Sequence, residues 1–335
     1  MRVTIKHIAK EAKVSHTTVS RVFHQDPRIS EPTKKRVMQI AKQLNYRPNI
    51  MARGLVYQKT YLIGLIVPDI MSSFFPEIIQ GIEEVAAKEG YSIILCTSEN
   101  DADREIKYTD QLLGKGVDGL IISPVFGSDV IDLDEIISRD KKPVIYLGSP
   151  VTGANGHFIS VQEEKIGYMA TKHLLQLGHR NIVHLAGNPH VMLSRQRLTG
   201  FQKALKEFGL STDGNKIVQS GFTINAGAEA MAKVLKRNPR PTAIYAICDT
   251  AAIGAMRVIR QSNLQIPQDI AIVGTDDLNF VELMDVPLTT VSQPKYQMGA
   301  CAAEKLFQRI AGKPIKNTVL ETKLIIRDSC GAKKK

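Results

Sequence analysis

The sequence has no tryptophan and only four cysteines, Cys96, Cys248, Cys301 and Cys330, which lie far apart without a CxxC pair. A disulfide framework and a paired-cysteine zinc site are therefore not expected. No apolar run approaches the roughly 20 residues that a membrane span needs. Residues 1–13 lack the hydrophobic stretch of a secretory signal. We predict a cytoplasmic chain without membrane segment, metal or cofactor.

Catalytic signatures are missing as well. No GxGxxG follows the first apolar strand, the eight histidines form no HExxH motif, and no GxSxG elbow is found. Residues 209–216 resemble a phosphate-binding loop, but the lysine comes one residue late and no Ser or Thr follows it. We predict that the chain is not an enzyme, and an enzyme acting on a sugar or nucleotide remains an alternative.

Positive charge is concentrated at the beginning of the chain. The 335 residues carry a formal net charge of +11, and residues 1–60 hold 13 Lys and Arg against three acids. The other 275 residues hold 31 basic and 30 acidic side chains and are almost neutral. A basic head on a neutral body is typical of a module that binds a polyanion, joined to a second unit of different purpose.

The head has the periodicity of three short helices, which Thr4, Ser15 and Ser30 precede as caps. Their apolar positions are Ile5, Ile8, Ala9 and Ala12, then Val19, Val22 and Phe23, then Val37, Ile40, Ala41 and Leu44. Only residues 13–15 separate the first two helices, so the spacing predicts a helix–turn–helix. A purely structural bundle is the alternative, but the charge favours DNA binding.

A short segment follows the head. Pro48 ends the preceding element, and Asn49 can cap a helix of under two turns that contains Gly54. Such a helix is marginal in water and should form only when something holds it. A flexible linker is the alternative.

From residue 61 onward, apolar strand-like runs alternate with amphipathic helical stretches. Strands are predicted at 62–67, 92–96, 119–122 and 143–147, and again at 181–186, 216–219, 242–247 and 270–274. The spacing is typical of βαβ units, so the pattern predicts an α/β fold with two doubly wound parallel-sheet subdomains. Ligands of such sheets bind outside the carboxyl ends of the strands, here in the cleft between the subdomains.

Motifs along the whole chain complete the picture. They lie at residues 4–22 and 44–55, and in the core at 63–70, 74–75, 81–83, 173–182, 197–201 and 288–294. In this order they closely resemble the LacI/GalR family of bacterial transcription repressors. The resemblance implies a DNA-binding domain at 1–48, a hinge helix and linker at 49–60, and a periplasmic-binding-protein-like core at 61–335. Within that core the N-subdomain covers about 61–160 and 292–322, and the C-subdomain about 161–291 and 323–330.

The resemblance also implies a homodimer that binds a palindromic operator with two heads. His16, Thr17 and Arg21 are then the base contacts, since an arginine can donate two hydrogen bonds to guanine. The candidates for contacts with the DNA backbone are Thr4, Ser15, Thr18, Ser20, Lys34 and Asn49. Ala52, Arg53 and Leu55 belong to the hinge in the minor groove, where the leucine acts as an apolar wedge. A buried contact between hinge and core is the alternative for this leucine.

For the core, the resemblance implies that Arg197 and Asp276 flank the cleft and bind an effector. The expected effector is a sugar or sugar derivative. An arginine offers a fork of donors, and a carboxylate accepts from hydroxyls. The second choices are Asp249, Phe74, Asp69 and Gln293. The alternative for Arg197 and Asp276 is a surface ion pair. The alternative for the ring of Phe74 is a position in the hydrophobic core.

Some positions depart from the family pattern. Lys13 stands in the helix–turn–helix turn where the family usually carries glycine, and Cys248, Gly148 and Gln162 replace common polar residues of the cleft. These changes leave the identity of the ligand open.

Two further alternatives come from related classes of protein. A stand-alone periplasmic sugar-binding protein has the same core architecture, but the basic head argues against it. Residues 116–119 and 68–70 resemble the catabolite control proteins, which respond to a phosphorylated carrier protein. Those proteins have a basic residue before the proline that corresponds to Pro287, whereas this chain has Val286.

Overall fold

A computed structural model of the protein describes residues 3–23, 26–46, 59–124, 136–137, 139–148 and 156–332, except for the side chain of Asn215. The chain forms two compact units, residues 1–60 and residues 61–335. The predicted hinge residues Asn49, Ala52, Arg53 and Leu55 lie outside the described part of the chain.

The head contains the three predicted helices. They are α1 (Ile5–Glu11), α2 (His16–Phe23) and α3 (Glu31–Gln43). Ile8, Val19 and Val37, one from each helix, are fully buried in a shared core. Ser15 caps α2, because its hydroxyl accepts a hydrogen bond from the backbone N–H of Thr18 at 3.0 Å. The helix–turn–helix prediction is therefore confirmed.

The turn between α1 and α2 contains Lys13 at a φ of 51°. This is the left-handed region that favours glycine, so the lysine holds the turn with some backbone strain. The next residue, Val14, donates its backbone N–H to the carbonyl of Ala9 at 3.0 Å and closes the turn.

The core alternates strands and helices along the chain. Its elements are β1 (Leu62–Val67), α4 (Phe75–Lys88), β2 (Ser92–Thr97), α5 (Ala102–Gly114), β3 (Gly119–Ile122), β4 (Val144–Leu147), β5 (His157–Val161), α6 (Glu163–Gln176), β6 (Ile182–Ala186), α7 (Met192–Glu207), β7 (Ile217–Gln219), α8 (Ile224–Leu235), β8 (Ala243–Ala246), α9 (Asp249–Gln261), β9 (Ala271–Asp276), β10 (Thr289–Ser292), α10 (Lys295–Ile310), β11 (Thr318–Leu320) and β12 (Lys323–Ile325). Short 3-10 turns lie at Gly214–Lys216 and Asp328–Cys330. None of the described helices is long and apolar enough to cross a membrane.

The strands form two six-stranded sheets. The first has the order β11-β5-β4-β3-β1-β2, and the second has the order β12-β10-β9-β8-β6-β7. All paired strands are parallel except β12, which runs antiparallel to β10. Helices α4 and α10 cover one face of the first sheet and α5 the other, while α6 and α7 face α8 and α9 across the second. The predicted architecture of two doubly wound subdomains is confirmed.

The eight predicted strands are all present, but the sequence pattern missed β5, β10, β11 and β12. The last two have three residues each, too short for a periodic signal. The chain passes between the subdomains after β5, after β10 and between β11 and β12. These three crossings lie next to the boundaries that the resemblance implied.

Helices α6 and α7 lie in unusually close backbone contact. A Cβ atom at Gly167 would lie 2.0 Å from the carbonyl oxygen of Arg197, and one at Gly200 would lie 2.0 Å from that of Glu164. The two glycines let the helices approach until their backbones touch. This contact fixes the position of Arg197 on α7 relative to Glu163, the first residue of α6.

We predict that Gly167→Ala lowers the free energy of unfolding by about 1–3 kcal/mol, because the added methyl group must push α7 away. Gly114→Ala is the matched control, since Gly114 is likewise a helical glycine, the last residue of α5, but has open space around it. The control should be neutral or stabilising by up to about 1 kcal/mol. Urea unfolding followed by circular dichroism measures both variants, and equal stability would contradict the close packing.

Candidate functional site

The carboxyl ends of the strands bring a set of polar side chains together at the junction of the subdomains. Strand β9 ends at Asp276, β10 leads into Gln293, and β5 leads into Glu163 at the start of α6. In open α/β sheets this edge is where ligands bind. Asp276, Gln293 and Glu163 are nevertheless all buried in this structure.

Arg197 lies in α7 and is only 3% exposed. Its Nε donates to Glu163 Oε2 at 2.7 Å, and one terminal nitrogen donates to the carbonyl oxygen of Ile247 at 2.6 Å. Burial opposes the charged guanidinium, but the Coulomb attraction of Glu163 and Asp276 outweighs it, so the pKa of Arg197 lies above its usual value. Arg197, which we predicted to contact the effector, is thus a buried cation that is already paired. The alternative, a surface ion pair between Arg197 and Asp276, is wrong.

Asp276 is held through both its side chain and its backbone. The amide nitrogen of Gln293 donates to its Oδ1 at 2.7 Å. Burial raises the pKa of the Asp276 carboxyl above its usual value, while Arg197 and Lys295 nearby oppose that rise. Its φ of 118° is rare for a residue with a side chain, and such strain is common at functional sites. The two predicted residues Asp276 and Gln293 therefore form one unit.

Lys295 is a part of this unit that the sequence reading missed. Its buried Nζ donates to the carbonyl oxygens of Asp276 and Asp277 at 2.6 and 2.8 Å and lies 3.4 Å from Glu77 Oε1. The lysine begins α10 of the first subdomain, so these bonds join the two subdomains. A cation at a helix N-terminus opposes the helix dipole. That conflict is the signal by which the sequence could have pointed to Lys295.

Glu163 was also missed. It lies two residues after the end of β5 and forms an ion pair with Arg197, in which the side chains of Glu163 and Arg197 are 6% and 4% exposed. The next residue, Glu164, instead pairs with Lys203 on the surface. The sequence offered no way to distinguish the two neighbouring glutamates, because only the turn from β5 into α6 decides which one faces inward.

Asp249 is fully buried and bound by the protein itself. The Thr290 hydroxyl donates to Oδ1 at 2.6 Å, and the backbone N–H of Leu278 donates to Oδ2 at 2.9 Å. Burial and the neighbouring Asp276 raise the pKa of this carboxyl above its usual value. In this structure Asp249 joins the start of α9 to β10, and an effector contact for it stays a prediction.

The two candidates from the first subdomain lie after β1. Oδ1 of Asp69 accepts the backbone N–H of Met71 at 2.8 Å and closes a local turn. Phe74 is half-buried and packs edge-on against Phe75, with ring centroids 5.4 Å apart. In the described part of the chain, neither side chain is hydrogen-bonded to Arg197 or Asp276. Their effector contacts remain predictions.

A layer of buried aromatic side chains lies in the second sheet beneath Arg197. His184 and Tyr245 stack with ring centroids 4.4 Å apart, and Nδ1 of the histidine donates to the carbonyl oxygen of Tyr245 at 3.0 Å. Burial raises the pKa of Tyr245 to about 12 and lowers that of His184 to about 4. Both side chains are therefore neutral at physiological pH. In the described part of the chain, no group of His, Cys, Asp and Glu residues could hold a metal ion.

The head presents the predicted base contacts on one face. His16, Thr17 and Arg21 are exposed on α2, whereas Val19 and Val22 of the same helix are buried. Nε of Arg21 lies 3.9 Å from a carboxylate oxygen of Asp26, a distance that leaves the guanidinium largely available. The second helix of the motif therefore offers donors and acceptors on its solvent face.

The predicted backbone contacts lie around this face and make short-range bonds. The Ser15 and Thr18 hydroxyls lie 2.9 Å apart, and the backbone N–H of Thr4 donates to Nδ1 of His7. Nζ of Lys34 is 2.7 Å from a carboxylate oxygen of Glu31. Ser20 is half-buried on α2. All of these DNA contacts remain predictions.

Comparisons with known proteins agree with this arrangement. Residues 4–49 match the bacterial regulatory proteins of the lacI family, and residues 60–330 match the family described as periplasmic binding proteins and sugar binding domain of LacI family. The chain is 35% identical to the HTH-type transcriptional regulator DegA of Bacillus subtilis (strain 168), over 98% of both chains. It is 33% identical to catabolite control protein A of Priestia megaterium, over 96% of both.

A solved structure of the lac repressor dimer bound to operator and the anti-inducer ONPF is similar over 99% of this chain and 100% of that one, with a TM-score of 0.90 and 27% identity. The chain belongs to the LacI family of bacterial regulatory proteins. It is a DNA-binding transcription regulator with a small-molecule effector domain.

Proposed function

We propose that the chain is a repressor that binds a palindromic operator as a homodimer, and that a sugar or sugar derivative in the cleft between the subdomains controls this binding. The observation that carries the proposal is the junction at Asp276, which Gln293 and Lys295 hold beside the buried Arg197. The match of residues 60–330 to a sugar binding domain supports the class of ligand. The dimeric lac repressor supports the assembly.

In the DNA-binding half, His16, Thr17 and Arg21 read base edges while the surrounding residues contact phosphates. The strong positive charge of residues 1–60 supports this division, because phosphate contacts supply affinity without sequence information. Asn49, Ala52, Arg53 and Leu55 enter the proposal from the sequence alone. Asn49 contacts the DNA backbone, and Ala52, Arg53 and Leu55 belong to the hinge that inserts into the minor groove.

In the effector half, a hydroxyl-bearing ligand donates to the Asp276 carboxylate and accepts from the guanidinium of Arg197. Phe74, Asp69 and Asp249 supply further contacts from the surrounding loops. Lys295 links the two subdomains beside this ligand, so a ligand that alters the junction also alters their relative position. It can shift operator binding only by as much as it prefers one arrangement over the other.

We also propose that the protein acts in the cytoplasm and without catalysis, because its relatives are transcription regulators. Control by a phosphorylated carrier protein is the second candidate. The 33% identity to a catabolite control protein favours it, while Val286 in place of a basic residue counts against it. Operator affinity that responds to such a carrier protein, and to no sugar, would select the second candidate.

For the DNA-binding face we predict that Arg21→Ala loses discrimination at one base pair of each half-site, at a cost of about 1–3 kcal/mol on the preferred sequence. Lys34→Ala is the matched control, because a phosphate contact should weaken binding to all sequences alike. Fluorescence anisotropy with a set of single-base operator variants measures both. A uniform loss for Arg21→Ala would assign this residue to the backbone instead.

For the effector site we predict that Asp276→Asn lowers the affinity for the sugar that a panel of mono- and disaccharides identifies by at least tenfold. A hydrogen bond to a charged group contributes about 1.5–3 kcal/mol, and the amide loses that charge. Asp285→Asn is the control, because Asp285 is exposed and pairs with Arg260. Calorimetric titration of the full chain gives the affinities, and unchanged binding by Asp276→Asn would move the site elsewhere.

A further inference from the structure

The cations at the subdomain junction are already neutralised by the chain. The Arg197 guanidinium is bound by the Glu163 carboxylate and the Ile247 carbonyl. Nζ of Lys295 is surrounded by the carbonyls of Asp276 and Asp277, with the Glu77 carboxylate nearby. Neither side chain retains a free positive charge for a ligand.

The third cation near this edge is Arg327. It donates to Asp277 Oδ1 at 2.7 Å and to the carbonyl oxygen of Leu288 at 2.9 Å. Asp277 is therefore bound at its side-chain carboxylate by Arg327 and at its backbone carbonyl by Lys295. All three cations serve the protein's own carboxylates and carbonyls.

Negative charge, in contrast, is in excess at the junction. The Asp276 carboxylate accepts a hydrogen bond from the neutral side-chain amide of Gln293. Its negative charge helps to raise the pKa of the buried Asp249 carboxyl nearby.

We propose that the cleft selects its effector by charge: it accepts a neutral or positively charged, hydroxyl-rich ligand and rejects phosphorylated and carboxylated ones. Glu163 sets this selectivity, because it occupies the guanidinium of Arg197 that would otherwise attract an anion. The inference rests on the proposed effector site and narrows its ligand class.

The physical reason is the cost of an unmatched buried charge. A phosphate monoester carries about −1.5 to −2 charges at neutral pH, and in a partly dry cleft it needs a cation or several donors to replace water. In this cleft a phosphate group would lie next to the carboxylates of Glu163 and Asp276, with no unpaired cation among the described residues of the junction to balance its charge. A sugar hydroxyl, or an ammonium group of an amino sugar, donates to the same carboxylates and relieves their repulsion.

The first test uses inorganic phosphate as an anion probe, with chloride at equal ionic strength as the reference. Calorimetric titration of the full chain should show no saturable phosphate binding to the wild type. Glu163→Gln, which frees the guanidinium of Arg197, should show saturable phosphate binding, at least tenfold tighter than the limit set for the wild type. Glu164→Gln is the matched control, since it removes the neighbouring charge from a surface pair with Lys203, and it should behave as the wild type.

The second test compares ribose with ribose 5-phosphate, and glucose with glucosamine and glucose 6-phosphate, on the wild type. Ribose should bind at least tenfold more tightly than ribose 5-phosphate, and glucose and glucosamine at least tenfold more tightly than glucose 6-phosphate. Tighter binding of either phosphorylated sugar to the wild type overturns the inference, whether or not Glu163→Gln folds. No phosphate binding by a folded Glu163→Gln overturns the role of this glutamate.

The failure of the proposed function has a different signature. If no sugar binds the wild type, but Glu163→Gln alone gains phosphate binding, the charge selection stands and the sugar class is wrong. If the wild type itself binds inorganic phosphate saturably, the charge selection is wrong whatever the sugars do.

Discussion

The buried ion pair between Glu163 and Arg197 is the interaction on which the rest of the cleft depends. Removing two charges from water is costly, and such a pair persists only where the geometry is good and the remaining donors are bonded. The Ile247 carbonyl supplies one such bond, and the close contact of α6 and α7 at Gly167 fixes the distance. The family position that would grip a ligand is therefore committed first to the protein.

Buried charges are also paired within the protein at the junction between the subdomains. Lys295 of the first subdomain binds two carbonyls at the strained end of β9, so that strand is stabilised from across the cleft. A ligand that donates a hydrogen bond to the Asp276 carboxylate acts directly on this link. At the effector site that we propose, ligand binding would be coupled to subdomain position through these bonds, which is what a two-state regulator needs.

Much of the fold could be predicted from the sequence, because apolar periodicity fixes helices and strands locally and motif order fixes the topology. The site was only partly predictable. Arg197 and Asp276 came from motif positions, but their bonding did not, since it depends on which of Glu163 and Glu164 turns inward. The inward orientation of the Lys295 side chain is likewise set by tertiary contacts. Four strands were missed because their pairing partners, rather than a local sequence pattern, define them.

The most direct test of this account is a double-mutant cycle on the free energy of urea unfolding, using Glu163→Gln, Arg197→Met and the double variant. Each single change leaves a buried partner uncompensated and should cost about 3–5 kcal/mol. The double variant removes both partners and should cost clearly less than the sum of the two, with a coupling energy of about 2 kcal/mol or more. Additive losses would contradict the claim that Glu163 neutralises Arg197.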